Sequence, residues 1–291
     1  MSPKAPIDLI DEQTWLEPVA DRVKQAVSGT FTAAGEPGRT IKNLLNGTWL
    51  GHPLHPVLTD LPIGAWTAAM IFDANELGAK RRVTSHPADT AIAIGLAGAV
   101  AAAVTGLTDW QDIDGRARRV GLAHGLLNLT GALLFGTSLV LRKRGARGLG
   151  RGFSLLGYAV ALSAAYLGGN LVYGEQIGID HSNAQHPPAD FVPVLAENEL
   201  HDDELRRVET NGMRVLLVKH GGCIHALSEV CSHLGGPLAE GHLDEGSVRC
   251  PWHGSRFALG NGRVLDGPAT HPQTMFEARV YNGQIEVRAS R

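Results

Sequence analysis

Four long apolar segments in the first two thirds of the chain restrict its fold more than any other feature. Each has roughly the 20 residues that a helix needs to cross a bilayer. They run from Val57 to Leu77, Ala88 to Trp110, Val120 to Leu141 and Phe153 to Tyr173. The residues after about 190 are polar and are interrupted by Gly, Asn and Asp. The pattern predicts an α-helical four-span transmembrane bundle followed by a separate water-soluble domain.

The apolar segments are rich in Gly and Ala, as in AIAIGLAGAVAAAVTGL at 91–107. Small residues let helices approach closely in lipid, where no hydrophobic force drives them together. A water-soluble bundle would instead need polar stripes at helical period, and the second and fourth segments have almost none. We therefore expect a multi-pass protein of the cell membrane.

Charge and cysteine content exclude two classes of protein. From residue 190 onward there are 14 acidic and 10 basic residues, so neither half is a polycation and nucleic-acid binding is not expected. The chain has three cysteines, which do not form a disulfide framework.

Basic residues collect in the loops after the first and third spans, which favours termini outside the cytoplasm. Cytoplasmic assembly of an iron-sulfur domain would favour the opposite, so the orientation stays open.

Two shorter regions precede the first span. Apolar residues in 12–28 recur at helical spacing, which predicts an amphipathic helix, either at the membrane interface or in solvent. The segment HPLHP at 52–56 then brings His52 and His55 to the start of the first span, while His124 begins the third. With four spans these histidines share one membrane face, where ionisable groups are functional candidates. The alternative is a rigid turn and ordinary hydrogen bonds between helices.

Four segments of the first domain are similar to one known family: GTWLGHPLHPVLTDLPIGAWTAAMIFD, TGLTDW, AHGLLN and GGNLVYG. They resemble an uncharacterised bacterial four-helix membrane domain family with an HPxxHP motif. The resemblance covers about residues 40–180. It implies a membrane bundle with a histidine-bearing face. Three roles are open for His52, His55 and His124: ligands of haem b, the lining of a quinone site, or a structural role.

The second domain carries CSHLGGPL and CPWHGS, and 16 residues separate the Cys-x-His pair of the first from the Cys-x-x-His pair of the second. Two thiolates and two imidazoles in this spacing can bind one zinc ion or a two-iron cluster. Glycines and prolines follow both pairs and predict two facing backbone loops, whereas a zinc finger would usually continue into a helix.

These loops resemble the Rieske [2Fe-2S] ferredoxin-type domain over about residues 191–288. The resemblance implies one cluster, with Cys231 and Cys250 on one iron and His233 and His253 on the other. It implies that Ser255 forms a hydrogen bond to the cluster. Gly236 and Trp252 stand where high-potential relatives have a disulfide, and Phe257 replaces a tyrosine. We therefore expect a reduction potential toward the lower end of about −150 to +300 mV.

The remaining sequence predicts an all-β fold with two hairpins. Segment 214–227 turns at Gly221–Gly222, and segment 276–287 turns at Asn282–Gly283. Cys223 falls in a strand and is expected to be a small buried side chain.

The predicted organisation has four parts: an N-terminal amphipathic segment at 1–40, the four-helix membrane domain at 41–174, a linker at 175–190 and the Rieske domain at 191–291. It indicates a membrane-anchored electron-transfer protein, an oxidoreductase component without its own substrate-converting site. Its redox partner is a separate protein, or a haem or quinone in the bundle. One alternative is an electron-supplying component of a Rieske-type oxygenase system, and another is a ferredoxin-like carrier on a passive anchor. Only 38 residues follow His253, so an oxygenase domain would have to come from a partner.

Overall fold

A computed structural model describes residues 6–78, 87–182 and 187–290. The chain divides into two compact units. The first is made of Met1–Ala34 and Leu54–Ile177, and the second of Gly35–Pro53 and Gly178–Arg291. The basic residues Lys80, Arg81 and Arg82, which bear on membrane orientation, lie outside the described residues.

Within the described ranges the chain forms seven α-helices. They are α1 (Pro6–Asp11), α2 (Leu16–Ala33), α3 (Gly35–Asn46), α4 (Leu54–Gly78), α5 (Pro87–Trp110), α6 (Gly115–Lys143) and α7 (Arg147–Tyr173). All except α3 belong to the first unit.

Each of the four predicted spans lies within one of the helices α4 to α7. Among the described residues, α5, α6 and α7 are long and apolar enough to cross a membrane by length and composition. Helix α4 has 25 residues but contains Asp60, Asp73 and Glu76, and these charges lower its mean hydropathy. The structure therefore gives a helical first unit with three candidate spans.

Close packing in the first unit depends on small residues facing large ones. The rings of Trp66 on α4 and Phe135 on α6 stack with their centroids 4.2 Å apart. A side chain at Gly95 would place its Cβ 2.3 Å from Nε1 of Trp66, so only glycine fits there. This explains the glycine at this contact, because even a methyl group would push apart helices that meet at this point.

A buried ion pair joins three of these helices. The side chain of Arg142 on α6 is fully buried, and its Nη1 donates to Oδ1 of Asp73 on α4 at 2.7 Å. Its Nε donates to Ser138 Oγ at 3.0 Å and its Nη2 to Ser154 Oγ at 2.9 Å. The guanidinium thus has both a countercharge and hydrogen-bond acceptors, which a buried cation requires.

The amphipathic N-terminal helix packs on the first unit. Leu16 and Ala20 of α2 are buried against Trp110 and Ile113. On the polar side, Arg118 at the start of α6 lies 3.0 Å from Asp21 of α2. The apolar stripe of α2 therefore covers the end of α5 and the beginning of α6.

The second unit is built on two antiparallel sheets. The larger has six strands in the order β1-β10-β9-β4-β3-β2 and the smaller has four in the order β5-β6-β7-β8. In chain order the strands are β1 (Val192–Ala196), β2 (Leu205–Thr210), β3 (Met213–His220), β4 (Cys223–Ser228), β5 (His242–Asp244), β6 (Ser247–Arg249), β7 (Arg256–Ala258), β8 (Val264–Asp266), β9 (Met275–Tyr281) and β10 (Gln284–Ala289).

Both predicted hairpins are confirmed. Strands β3 and β4 pair across Gly221–Gly222, and β9 pairs with β10 across Asn282–Gly283. The four turn residues all have positive φ, as tight turns of this kind require. The expectation for Cys223 was wrong, because its thiol is exposed. It directly follows the glycine turn and is the first residue of β4.

Candidate functional site

Two loops of the second unit share one construction. In the first, the amide of Cys231 donates to the carbonyl of Gly236 at 2.9 Å, and the amide of Gly235 donates back to Cys231 at 2.9 Å. In the second, Cys250 donates to Ser255 at 2.8 Å and Gly254 donates back to Cys250 at 3.2 Å. Gly235 and Gly254 have φ of 76° and 79°, a conformation that side chains rarely adopt. The same turn therefore presents a Cys and a His twice.

The loops bring the four predicted ligand residues together in two pairs. The thiols of Cys231 and Cys250 are hydrogen-bonded to each other, and both residues are buried. The rings of His233 and His253 have centroids 5.0 Å apart and planes at 86°. A two-iron cluster with two ligands on each iron needs this arrangement of pairs.

The electrostatics of the loops favour metal ligation. The hydrogen bond between the thiols lowers the pKa of Cys250 to about 7 and raises that of Cys231. Backbone amides two and three residues after each cysteine also donate toward its sulfur: those of His233 and Leu234 for Cys231, and those of Trp252 and His253 for Cys250. Such donors stabilise thiolates, which are the form that binds metal.

The ring of His233 is largely buried. Burial lowers the pKa of His233 to about 3, so the ring is neutral and can offer a lone pair. Its Nδ1 is buried with no hydrogen-bond partner in the described part of the chain. An orphaned buried nitrogen is costly unless a ligand satisfies it. Within those residues no three His, Cys, Asp or Glu side chains converge as a group for a single metal ion. The separate pair of cysteines and pair of histidines fit a two-iron cluster, with two protein ligands for each iron.

Ser255 is fully buried at the end of the second loop. Its Oγ accepts a hydrogen bond from the amide of Ala269 at 3.0 Å. The hydroxyl keeps its own hydrogen for a further acceptor. Ser255 thus ties the second loop to the segment after β8, which contains the Gly267–Pro268 pair.

Sequence reasoning missed two supports of the first loop. Gln273 is almost fully buried, and its Oε1 accepts from the amide of Ser232 at 3.1 Å while its Nε2 donates to the carbonyl of Ser228 at 2.8 Å. Glu229 is fully buried, and its carboxylate lies 2.7 Å from Arg207 and 3.4 Å from Arg214. Glu229 lies two residues before Cys231, and a single charged residue at that position is no signal of a buried support.

A third missed support comes from helix α3, more than 200 residues away in sequence. Asn43 accepts a hydrogen bond from the amide of Gly267 at 2.9 Å and donates to Asp266 at 3.0 Å. A Cβ at Gly267 would come within 2.8 Å of Asn46. Residues 35–53 therefore pack on the loop that follows β8.

The three candidate histidines of the membrane part are divided between the two units. His55 and His124 lie together in the first unit, with ring centroids 6.4 Å apart. His52 belongs to the second unit, is exposed, and has its Nδ1 3.1 Å from the carbonyl oxygen of Pro53.

Comparison with known proteins agrees with this geometry. Residues 190–281 match the Rieske [2Fe-2S] domain family and residues 51–181 match a predicted membrane protein family (DUF2231). The chain is 35% identical over 85 residues to the 3-phenylpropionate/cinnamic acid dioxygenase ferredoxin subunit of Escherichia coli strain K12, covering 29% of this chain and 79% of that protein. The chain therefore belongs to the Rieske [2Fe-2S] family, and it joins this domain to a DUF2231 membrane domain.

Two further similarities each cover about a third of this chain. Human apoptosis-inducing factor 3 is 40% identical over 111 residues, which is 36% of this chain but only 18% of the human protein. The ferredoxin of carbazole 1,9a-dioxygenase from Nocardioides aromaticivorans IC177 is 25% identical, with 35% of this chain and all of that chain covered at a TM-score of 0.33.

Proposed function

We propose that this protein is a membrane-anchored electron-transfer protein, in which a Rieske domain carries one [2Fe-2S] cluster and exchanges electrons with a redox partner. The observation that carries this proposal is the pair of loops with matching backbone hydrogen bonds, each presenting one Cys and one His. Such a cluster supplies one-electron redox chemistry.

Cys231 and Cys250 would hold one iron as thiolates, and His233 and His253 would hold the other through imidazole nitrogens. The orphaned Nδ1 of His233 supports its part in this assignment, because ligation would satisfy the atom. Loop amides stabilise the thiolates, while Ser255 supplies a hydroxyl beside the cysteine loop. Hydrogen bonds to the sulfurs make a cluster easier to reduce.

The membrane part is proposed to span the bilayer four times, with α4 as the first span. Its buried acid Asp73 is paired with Arg142, which removes the main objection to placing α4 in lipid. The proposed domains are a membrane domain at 41–174, a linker at 175–190 and a Rieske domain from 191. Residues 35–53 pack on the Rieske domain.

Two partners are considered for the cluster. One is a haem or quinone at the histidine face of the membrane domain, which the joining of His55 and His124 supports. The other is a separate oxygenase component, which the similarity to a dioxygenase ferredoxin subunit supports. In the second case the membrane domain is a passive anchor, and the protein is an oxidoreductase component whose substrate is converted by its partner.

Optical spectra of the detergent-purified full-length protein test the proposal. The oxidised sample should show the broad visible absorption of a Rieske cluster, and dithionite should bleach it. Cys250→Ser should abolish this absorption, whereas Cys223→Ser should leave it unchanged, because Cys223 lies at the exposed start of a hairpin strand. A colourless protein, or colour that persists in Cys250→Ser, would refute the assignment.

A further inference from the structure

His55 and His124 are held in the same way by two successive helical hairpins. His55 on α4 has its Nδ1 2.9 Å from the carbonyl oxygen of Ala102 on α5. His124 on α6 has its Nδ1 2.8 Å from the carbonyl oxygen of Ala164 on α7. The hairpin α4–α5 and the hairpin α6–α7 therefore repeat one arrangement, a histidine on the first helix fixed by a carbonyl of the second.

The repeat extends to a glycine four residues after each alanine. A Cβ at Gly106 would lie 2.8 Å from Cε1 of His55, and a Cβ at Gly168 would lie 3.0 Å from Cε1 of His124. Both glycines thus leave the space that the imidazole ring occupies. A single histidine in this setting could be an ordinary contact between helices, but the same setting in both hairpins indicates a common purpose.

The hydrogen bonds decide which nitrogen of each ring is available. A carbonyl oxygen only accepts, so Nδ1 carries the hydrogen in both neutral rings and Nε2 carries a lone pair. The amide of Asn128 lies 3.1 Å from Nε2 of His124, consistent with that acceptor role. For Nε2 of His55, the described residues provide no hydrogen-bond partner. In both rings Nδ1 is fixed by a carbonyl, as in many metal-binding histidines, and Nε2 of His124 would exchange its contact with Asn128 for a bond to the metal.

The separation of the rings matches two ligands on one metal. Metal–nitrogen bonds of about 2.0–2.1 Å, with about 1.2 Å from each nitrogen to its ring centre, place the centroids of two opposed imidazoles about 6.4 Å apart. The observed centroid distance is 6.4 Å, with the ring planes at 89°. Among the described residues no third His, Cys, Asp or Glu joins the pair to form a metal-binding group. A metal held by these two nitrogens would take its other ligands from a bound group such as a porphyrin.

We infer that Nε2 of His55 and Nε2 of His124 ligate one transition-metal centre from opposite sides, a haem iron or a bare ion. His52 has no part in this site. The inference rests on the proposed electron-transfer function, since it gives the membrane domain a redox group of its own. Of the three histidines that the sequence predicts on one membrane face, it assigns only His55 and His124 to the site.

The test uses full-length protein purified in detergent and compares His55→Gln, His124→Gln and His52→Gln with the wild type. A pyridine haemochrome assay counts haem, and elemental analysis counts iron, copper and zinc in the same samples. The wild type and His52→Gln should contain one metal centre per chain in addition to the cluster iron. His55→Gln and His124→Gln should lose it while keeping the cluster absorption, which shows that the chain is still folded.

Neighbouring glycines provide a matched pair of milder variants. Gly168→Ala pushes a methyl group against His124, whereas Gly169→Ala adds the same methyl group where no heavy atom lies within 4 Å. Gly168→Ala should bind the metal about tenfold more weakly. Loss of a contact that supports a metal ligand typically weakens metal binding about 10–100-fold, and one methyl group is expected to act at the low end of that range. Gly169→Ala should bind it as the wild type does.

The outcomes separate this inference from the proposed function. Haem that depends on both histidines supports it, and so does a bare ion that depends on both. A wild-type protein with cluster absorption but no further metal would overturn it and leave the electron-transfer proposal in place. A metal that survives both His→Gln changes would also overturn it. Loss of the cluster in the wild type would count against the proposed function instead.

Discussion

Gly236→Ala tests how tightly the two cysteine loops are fitted together. A Cβ at this position would lie 2.9 Å from Sγ of Cys250 and 3.1 Å from the ring of Trp252. Ordinary carbon contacts are about 3.5–4.0 Å, so the methyl group overlaps the sulfur by more than about half an ångström. Trp252 is 55% exposed and can turn away, but Cys250 is buried in the core of the unit.

The expected cost follows from two opposing effects. Overpacking a core typically costs about 1–3 kcal/mol. Replacing Gly by Ala recovers about 0.4–1 kcal/mol by restricting the unfolded chain. We therefore expect Gly236→Ala to lower the free energy of unfolding of the Rieske domain by about 1–2 kcal/mol, and to lower the midpoint of thermal bleaching by several degrees.

The matched control is Gly260→Ala in the same domain, where no heavy atom lies within 4 Å of the added Cβ. It should be neutral or slightly stabilising. The assay follows loss of visible absorption against temperature or denaturant in full-length protein, with iron and sulfide measured beforehand. Equal stability of Gly236→Ala and Gly260→Ala would refute the close approach of the two loops.

Two further changes test the supports of the site. Glu229→Ala removes a buried carboxylate that is hydrogen-bonded to the partly exposed Arg207, and it should cost about 2 kcal/mol of unfolding free energy by denaturation. Glu240→Ala removes an exposed carboxylate from the same guanidinium and should cost less than about 1 kcal/mol; equal costs would contradict the importance of burial. Ser255→Ala removes the hydrogen-bond acceptor of the Ala269 amide and a hydroxyl beside the cysteine loop. If that hydroxyl stabilises the reduced cluster by about 1 kcal/mol, the midpoint potential in a redox titration should fall by about 40 mV. An unchanged or higher midpoint potential would rule out that role.

Patterns that repeat along the chain were predictable from the sequence. The four apolar segments lie within α4 to α7. A run of about 20 apolar residues favours a helix, because a helix satisfies its backbone hydrogen bonds within the segment. The hairpins follow from Gly-Gly and Asn-Gly between alternating segments. The Cys and His pairs gave the position of the site, and the structure brings them into two facing loops.

Contacts between distant segments were not predictable. Nothing in the sequence around Asn43 indicates that its amide would meet Gly267, because a single Asn in a polar helix has many possible partners. The burial of Glu229 and Gln273 likewise depends on strands that pair far away in sequence. The equivalence of His55 and His124 appears only when the hairpin partners Ala102 and Ala164 are known.

The most direct test of the central claim is magnetic resonance of the reduced full-length protein labelled with nitrogen-15 histidine, on samples whose iron and acid-labile sulfide have been counted. The account predicts two irons and two sulfides per chain in the cluster, and a paramagnetic reduced state coupled to two histidine nitrogens. His233→Cys should remove one of the two couplings. A single zinc per chain, or a reduced cluster without histidine couplings, would contradict the account.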